Sequence, residues 1–377
     1  MKLEFKPLHE QTIVITGASS GIGLATARLA ANHGANVVLA ARNESALREA
    51  TDAIRQQGGE ATWVAADIGI EDEVRGIAEV AQKRYGGFDT WVNNAGVTIY
   101  GRIMEVPVED QRRLFDTNYW GLVYGSRVAA EHLQKKGGAI VNIGSVLSEV
   151  AFPLQGPYSA SKHAVKGFTD ALRMELEEAG WPISVTLIKP ASIHSYYEDH
   201  ARSYLEKEAH NPPPSYSPRA VARAILYCAT HEKRDMFVGL AGRALAAMGH
   251  WAPRTTDRLF ERTMIDQQQA ERKDYPEARR DNLYEAREDG GERGGYPHWS
   301  QPDSAYSEAV MHPMSALGVL AAAAGLGAGL LLLARPKGKR PGERAEAAPP
   351  PHGGEPTLPE RAYPTPAQQR EEMPPGL

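Results

Sequence analysis

TIVITGASSGIGLATARLA, residues 12–30, is the stretch on which the fold reading turns. Its β-branched opening, TIVIT, predicts a buried strand, and the alanine- and leucine-rich close predicts a helix. Between them Thr16, Gly17, Gly21 and Gly23 stand at the strand end and helix start. Glycines there remove side chains that would block a pyrophosphate, while the helix N-terminus offers backbone N–H donors and a partial positive charge. A tight strand-to-helix turn also needs glycine, so the turn alone leaves a purely structural reading open.

Outward from this turn the same alternation repeats. TIVITG, NVVLAA, ATWVAAD, DTWVNNAG, AIVNIGS, ISVTLIKP and DMFVG are seven strand candidates separated by helical patterns, from Thr12 to about Val238. Strands alternating with helices predict an α/β fold with a doubly wound, mostly parallel seven-stranded sheet, occupying residues 1–240. Residues 241–285 carry apolar spacings of one or two amphipathic helices, interrupted near Pro253. Residues 286–313, rich in Gly and polar side chains, are expected to be a linker, and the Pro-, Glu- and Ala-rich residues 335–377 a disordered tail.

Bulk composition narrows the function classes. With 42 basic against 47 acidic side chains the formal charge is -5, which lacks the basic excess expected of a nucleic-acid partner. Cys228 is the only cysteine, so an intrachain disulfide is impossible. The twelve histidines show no metal-ligand spacing, and no metal site is expected.

The second strand ends in NVVLAARNES, where an NAD-selective site would place an acid to accept from the ribose 2′-OH. Ala41 cannot do this, whereas the planar guanidinium of Arg42 can pair with a 2′-phosphate. The spacing therefore favours NADP (NADPH), with NAD as the alternative cofactor. Further on, GPYSASKHAVKGF puts Tyr158 and Lys162 on one helix face, with Ser145 upstream at a strand end in VNIGSVLSE. A nearby ammonium favours a phenolate, which would bring Tyr158 closer to acid/base duty near neutral pH.

Together TGxxxGIG, NNAG at residues 93–96, Ser145 and YxxxK resemble the short-chain dehydrogenase/reductase superfamily, over about residues 12–238. The resemblance implies a one-domain Rossmann fold and hydride transfer between a nicotinamide cofactor and a carbonyl or alcohol. It assigns Tyr158 as general acid or base, Lys162 to lowering its pKa and holding the nicotinamide ribose, Ser145 to the substrate oxygen, and Asn118 to a proton-relay water. For the cofactor it implies Gly17, Ser19, Ser20, Gly21, Ile22 and Gly23 at the first turn. Asp67 and Ile68 fall at the adenine, and Asn94, Ala95 and Gly96 along the cleft. Pro190 and Ser195 fall at the carboxamide. In IKPASIHSYY, Ala191 replaces the usual glycine, a departure at the nicotinamide. His194 is expected to be solvated or to touch substrate. Ser148, Phe152, Pro153 and Gln155 are expected to face the substrate, and residues 196–218 to form a mobile substrate flap.

Residues 314–334 are uncharged, and as a helix would span roughly 31 Å, enough for a hydrocarbon core. Gly325 and Gly329 form a small-xxx-small step on which helices could pair into a homo-oligomer. The expectation is thus a membrane-associated protein whose catalytic domain stays cytoplasmic, reducing a carbonyl compound or oxidising an alcohol, one that a membrane anchor makes more plausibly lipophilic. The competing class is a catalytically silent NADP-binding membrane scaffold or redox sensor.

Overall fold

The computed structural model describes residues 3–270, 281–287, 290–294 and 299–315. Seven strands form one parallel sheet: β1 (Thr12–Thr16), β2 (Asn36–Ala41), β3 (Ala61–Ala65), β4 (Thr90–Asn93), β5 (Gly138–Ile143), β6 (Ile183–Pro190) and β7 (Asp235–Val238). These are the seven strands expected from sequence. Their order across the sheet is β7-β6-β5-β4-β1-β2-β3. Every residue of β1 and of β6 is buried, as a sheet covered on both faces requires.

Alternating side chains of β1 feed two cores. Ile13 and Ile15 pack with Leu39, Val221 and Ile225 on one face; Val14 packs with Val38, Trp91, Val128 and Ile140 on the other. The helices that cover these faces are α1 (Gly21–Asn32), α2 (Glu44–Gln56), α3 (Glu71–Tyr85), α4 (Val108–Phe115), α5 (Gly121–Leu133), α6 (Gly156–Glu178) and α7 (Pro218–Cys228). Local signals set their ends. The Asn43 side chain accepts from Ala46 N at 3.0 Å to start α2. Glu71, Asp72 and Glu73 open α3, Lys83 and Arg84 close it, and Gly86 caps it in the left-handed region.

β1 pairs with β2 on one side and β4 on the other, so the strand order reverses at its C-terminal end and leaves a crevice there. That crevice positions the site.

The amphipathic extension folds as α8 (Leu240–Trp251) and α9 (Pro253–Gln267), broken at Ala252 before the proline. Of the segment expected as a linker, residues 301–311 are packed against the body. The Gln301 N–H donates to Ser215 O and its carbonyl accepts from Ser217 N, Ser304 accepts from Gly239 N, and α10 (Ala305–Met311) buries Ser307 and Met311. The expected flap is also packed: residues 208–209 pair with 269–270, and Ala201, Leu205 and Ala209 join Tyr100 and Leu154 in an apolar cluster. Among the described residues no helix is long and apolar enough to cross a membrane. Apart from Met314 and Ser315, the expected span, residues 314–334, lies outside the described residues, as does the tail 335–377.

Candidate active site

The crevice opens into a cavity of about 630 Å³. At its first wall Gly17 has φ +66°, and a Cβ there would stand 2.7 Å from Ala95 Cα, so only glycine lets β1 turn against the end of β4. Asn94 ties the two strand ends: its Nδ2 donates to Thr16 O at 2.9 Å and its N–H to Thr16 Oγ1 at 3.0 Å. Ser19, Ser20, Gly21 and Ile22 line the cavity beside Asn94, Ala95 and Gly96. Gly23 does not. A Cβ there would be 2.1 Å from Gly17 O, so its role is close approach of α1 to the turn.

Arg42, Asp67 and Ile68 line the far end. Asp67 accepts from Gly69 N at 2.9 Å and is ion-paired with Arg113. Burial opposes its charge, yet these two donors hold its carboxyl below the usual range. Arg42 donates to the backbone carbonyls of Asn282, Leu283 and Tyr284, which sequence reading did not anticipate.

At the other end Tyr158 and Lys162 sit on the first turns of α6, one above the other. The Lys162 ammonium donates to Ile143 O at 2.9 Å and lies 5.6 Å from the Tyr158 ring centre. Burial pushes the Tyr158 phenol up to about 12, while hydrogen bonds with Tyr197 and Ser145 pull the other way. Burial lowers Lys162 to about 8. Burial of the phenol is thus the largest influence on Tyr158 in this cavity. The phenol is in the protonated form that a proton donor needs, while the raised pKa by itself makes it a weaker acid.

Ser145 caps the short turn Val146–Ser148 reciprocally. Its Oγ accepts from Leu147 N at 3.1 Å, and Ser148 Oγ accepts from Ser145 N at 3.1 Å. This fixes the Ser145 side chain at the cavity wall. Ser148 is fully buried behind it and, like Pro153, does not line the cavity, whereas Phe152 and Gln155 do.

Asn118 also stands behind the wall. It lies in a π-helical turn, Asp116–Trp120, between α4 and α5. Its Oδ1 accepts from Val97 N at 2.8 Å; its Nδ2 donates to Val97 O at 2.9 Å and to Ser161 Oγ at 3.1 Å. Ser161 in turn donates to Tyr158 O at 2.8 Å, so Asn118 ties the end of β4 to the helix carrying Tyr158. The wide turn is what lets a residue inside a long helix reach backbone on a neighbouring segment.

Pro190 and Ser195 line the cavity, and so does Ala191, whose methyl lies close to where Cβ atoms of Gly239 and Gly242 would be, at 2.9 and 3.1 Å. The space that glycine gives elsewhere is thus found on α8 and the residue before it. His194 is neither solvated nor in the cavity: it is buried, and burial lowers its pKa.

Several lining residues escaped sequence reading. The Tyr197 hydroxyl donates to Gln155 Oε1 at 3.0 Å and is hydrogen-bonded with Thr98 Oγ1 at 2.8 Å, its ring edge-on to Tyr158 at 5.5 Å. Leu245 and Met248 of α8 and Met264 of α9 form an apolar end with Val146, Leu147 and Phe152. The amphipathic pattern of these helices was visible; which surface their apolar face would meet was not. Among the described residues no cluster of His, Cys, Asp or Glu could hold a metal ion.

The cradle around Gly17 and Gly21 and the continuous cavity from Arg42 to Tyr158 fit a dinucleotide. Comparison with known proteins agrees. A family profile described as short chain dehydrogenase matches residues 11–204. An uncharacterised oxidoreductase of Bacillus subtilis, YxnA, is 48% identical over 323 residues, covering 85% of this chain and 90% of the relative. The 11-beta-hydroxysteroid dehydrogenase A of Sesamum indicum is 38% identical over 49% of this chain and 53% of its own. A crystal structure of a short chain dehydrogenase/reductase from Burkholderia phymatum in complex with NAD superimposes with a TM-score of 0.60 at 26% identity, covering 72% of this chain and 100% of that one.

Proposed function

The chain belongs to the short-chain dehydrogenase family, and from that premise we propose that it is an NADPH-dependent reductase of a bulky, lipophilic carbonyl compound. The observation that carries this reading is the convergence of Ser145, Tyr158 and Lys162 at one end of a cavity whose other end holds the glycine turn and Arg42. The bound dinucleotide supplies the hydride. Tyr158, holding its proton up to about 12, donates it to the carbonyl oxygen as the hydride reaches the carbonyl carbon. Because Ser145 Oγ already accepts from Leu147 N, its own proton is available to the same oxygen as charge develops there. The Lys162 ammonium, 5.6 Å from the ring, stabilises the phenolate left behind. Asn118 acts as a positioning residue through Val97 and Ser161.

NADPH preference rests on Arg42 and on Ala41, which offers no acceptor to a ribose 2′-OH. The lipophilic substrate rests on the apolar end formed by Val146, Leu147, Phe152, Leu245, Met248 and Met264, and on the relative named as a hydroxysteroid dehydrogenase. The uncharged residues 314–334 support membrane association, with the catalytic domain on the cytoplasmic side. Fractionation of the full chain tests that separately, and recovery wholly in the soluble fraction contradicts it.

The test of the function is NADPH and NADH oxidation by the full chain against a panel running from small diketones to sterol-sized ketones. Turnover should be faster with NADPH and rise with apolar bulk. Dinucleotide binding without turnover on any carbonyl or alcohol would favour a silent scaffold instead.

A further inference from the structure

Residues 281–287, which end the expected amphipathic extension and begin the expected linker, lie at the far end of the cavity. Asn282, Ala286 and Arg287 form part of the cavity wall opposite Ser19, Arg42 and Asp67. Gly21 N–H, at the start of α1, donates to Gly291 O at 2.8 Å. Arg42 donates to three consecutive carbonyls, those of Asn282, Leu283 and Tyr284, with the Tyr284 contact at 3.0 Å. Arg113 Nε donates to Leu283 O at 3.1 Å, and Asn43 Nδ2 to Arg287 O.

Most of these bonds join backbone carbonyls of the returning segment to side chains of the nucleotide end. One apolar anchor accompanies them: Leu283 is fully buried and packs in the cluster that contains Val97 and Leu114. At the outer edge Glu292 pairs with Arg28 at 2.8 Å. Residues 281–287 are therefore fastened to Arg42, Asn43 and Arg113, and residues 290–294 to Arg28 and the start of α1, while Asn282, Ala286 and Arg287 share the cavity lining with Asp67 and Ile68.

We propose that residues 281–287 and 290–294 are a cofactor clamp, a strap that completes the adenosine end of the dinucleotide site and must lift for the dinucleotide to enter or leave. The proposal rests on the dinucleotide reading above and adds to it a binding element from outside the family-matched residues 11–204. Two consequences follow from the geometry. The strap's carbonyls hold the Arg42 guanidinium in place at the cavity wall, so a 2′-phosphate meets a side chain whose ordering cost is already met. A dinucleotide lying beneath the strap is enclosed, so its release rate is set by strap opening.

A cross-link tests the gate. A Cβ at Gly290 would stand 3.8 Å from Ala46 Cβ, within the range of about 3.5–4.5 Å that a disulfide needs. It would also stand 2.9 Å from Ser19 O, which asks for a small shift of the strap. In the full-length Ala46→Cys, Gly290→Cys protein, oxidation after loading with NADPH should slow nucleotide release at least tenfold, and oxidation before loading should slow uptake equally; reduction should restore both. Cys228 is buried, with its thiol pushed up to about 12, and does not compete for the pairing.

Leu283→Ala, at a residue that does not itself line the cavity, loosens the strap and supplies the second arm. Stopped-flow fluorescence should show NADPH release several-fold faster and affinity correspondingly weaker. Tighter binding would mean that the strap competes with the nucleotide, and would overturn the clamp, as would release rates that are the same in the oxidised and reduced forms. If wild type binds neither dinucleotide, the functional reading falls together with the clamp; if it binds and turns over while both strap variants behave as wild type, the clamp alone falls.

Discussion

At its reacting end the cavity is built from neighbours in sequence: Ser145 caps the turn after β5, and Tyr158 and Lys162 follow on the next helix. At its adenosine end Arg42 meets the carbonyl of Tyr284, a residue 242 positions away. The first arrangement is fixed by one reciprocal cap and the rise of one helix; the second needs the whole sheet to form before the strap has anything to grip. The reacting end should therefore control turnover and the adenosine end affinity, and substitutions can separate the two.

The largest separation expected short of removing the phenol is Ser145→Ala. Loss of one hydroxyl that faces developing charge should lower kcat by about 10²-fold. NADPH affinity, measured by fluorescence titration, should stay within twofold; a matching loss of affinity would merge the two ends.

Next is Arg42→Ala, the reverse case. A charge-assisted contact to a 2′-phosphate contributes about 1.5–3 kcal/mol, so NADPH affinity should fall at least about tenfold. NADH affinity should fall only by the few-fold that a loosened strap costs, and kcat at saturating cofactor should barely move. Equal affinities for the two cofactors in the wild type would remove the basis for NADPH selectivity.

A third test uses pH. In the proposed mechanism reduction needs Tyr158 protonated and Lys162 charged. Tyr158 keeps its proton to about 12 and Lys162 only to about 8, so Lys162 sets the alkaline limit. The reduction rate should be level below pH 8 and fall by about tenfold per pH unit above it. A profile flat to pH 10 would show that the Lys162 charge is not used.

The smallest effect expected is that of Ser148→Ala, which deletes the acceptor for Ser145 N–H from the cap. A lost cap costs about 1 kcal/mol, visible as a lower midpoint of denaturation with only a few-fold loss of kcat. An unchanged midpoint would show that the cap does not hold Ser145.

How much of this could be read from the chain follows the same division. Strands buried on both faces announce themselves as apolar runs, so all seven of the sheet were legible. The Tyr158–Lys162 spacing was legible because a helix converts it directly into a shared face. Three features were not. The π-helical turn at Asn118 inserts into an apolar helical pattern without altering it. Tyr197 matters only because folding brings Thr98 and Gln155 to its hydroxyl. The strap is rich in glycine and charge, as linkers are, and its bonds use backbone carbonyls that no side-chain pattern records. The burial that raises the Tyr158 phenol is likewise a property of the packed cavity, whereas the charge at Lys162 is visible in sequence.

The central claim is that the Tyr158 phenol is the proton donor at one end of a cavity whose cofactor affinity is set at the other. Single-turnover oxidation of bound NADPH by Tyr158→Phe, beside wild type and with binding measured on the same samples, tests it most directly. The account predicts equal NADPH affinity and a rate lower by about 10³-fold. An undiminished rate at equal affinity would contradict it.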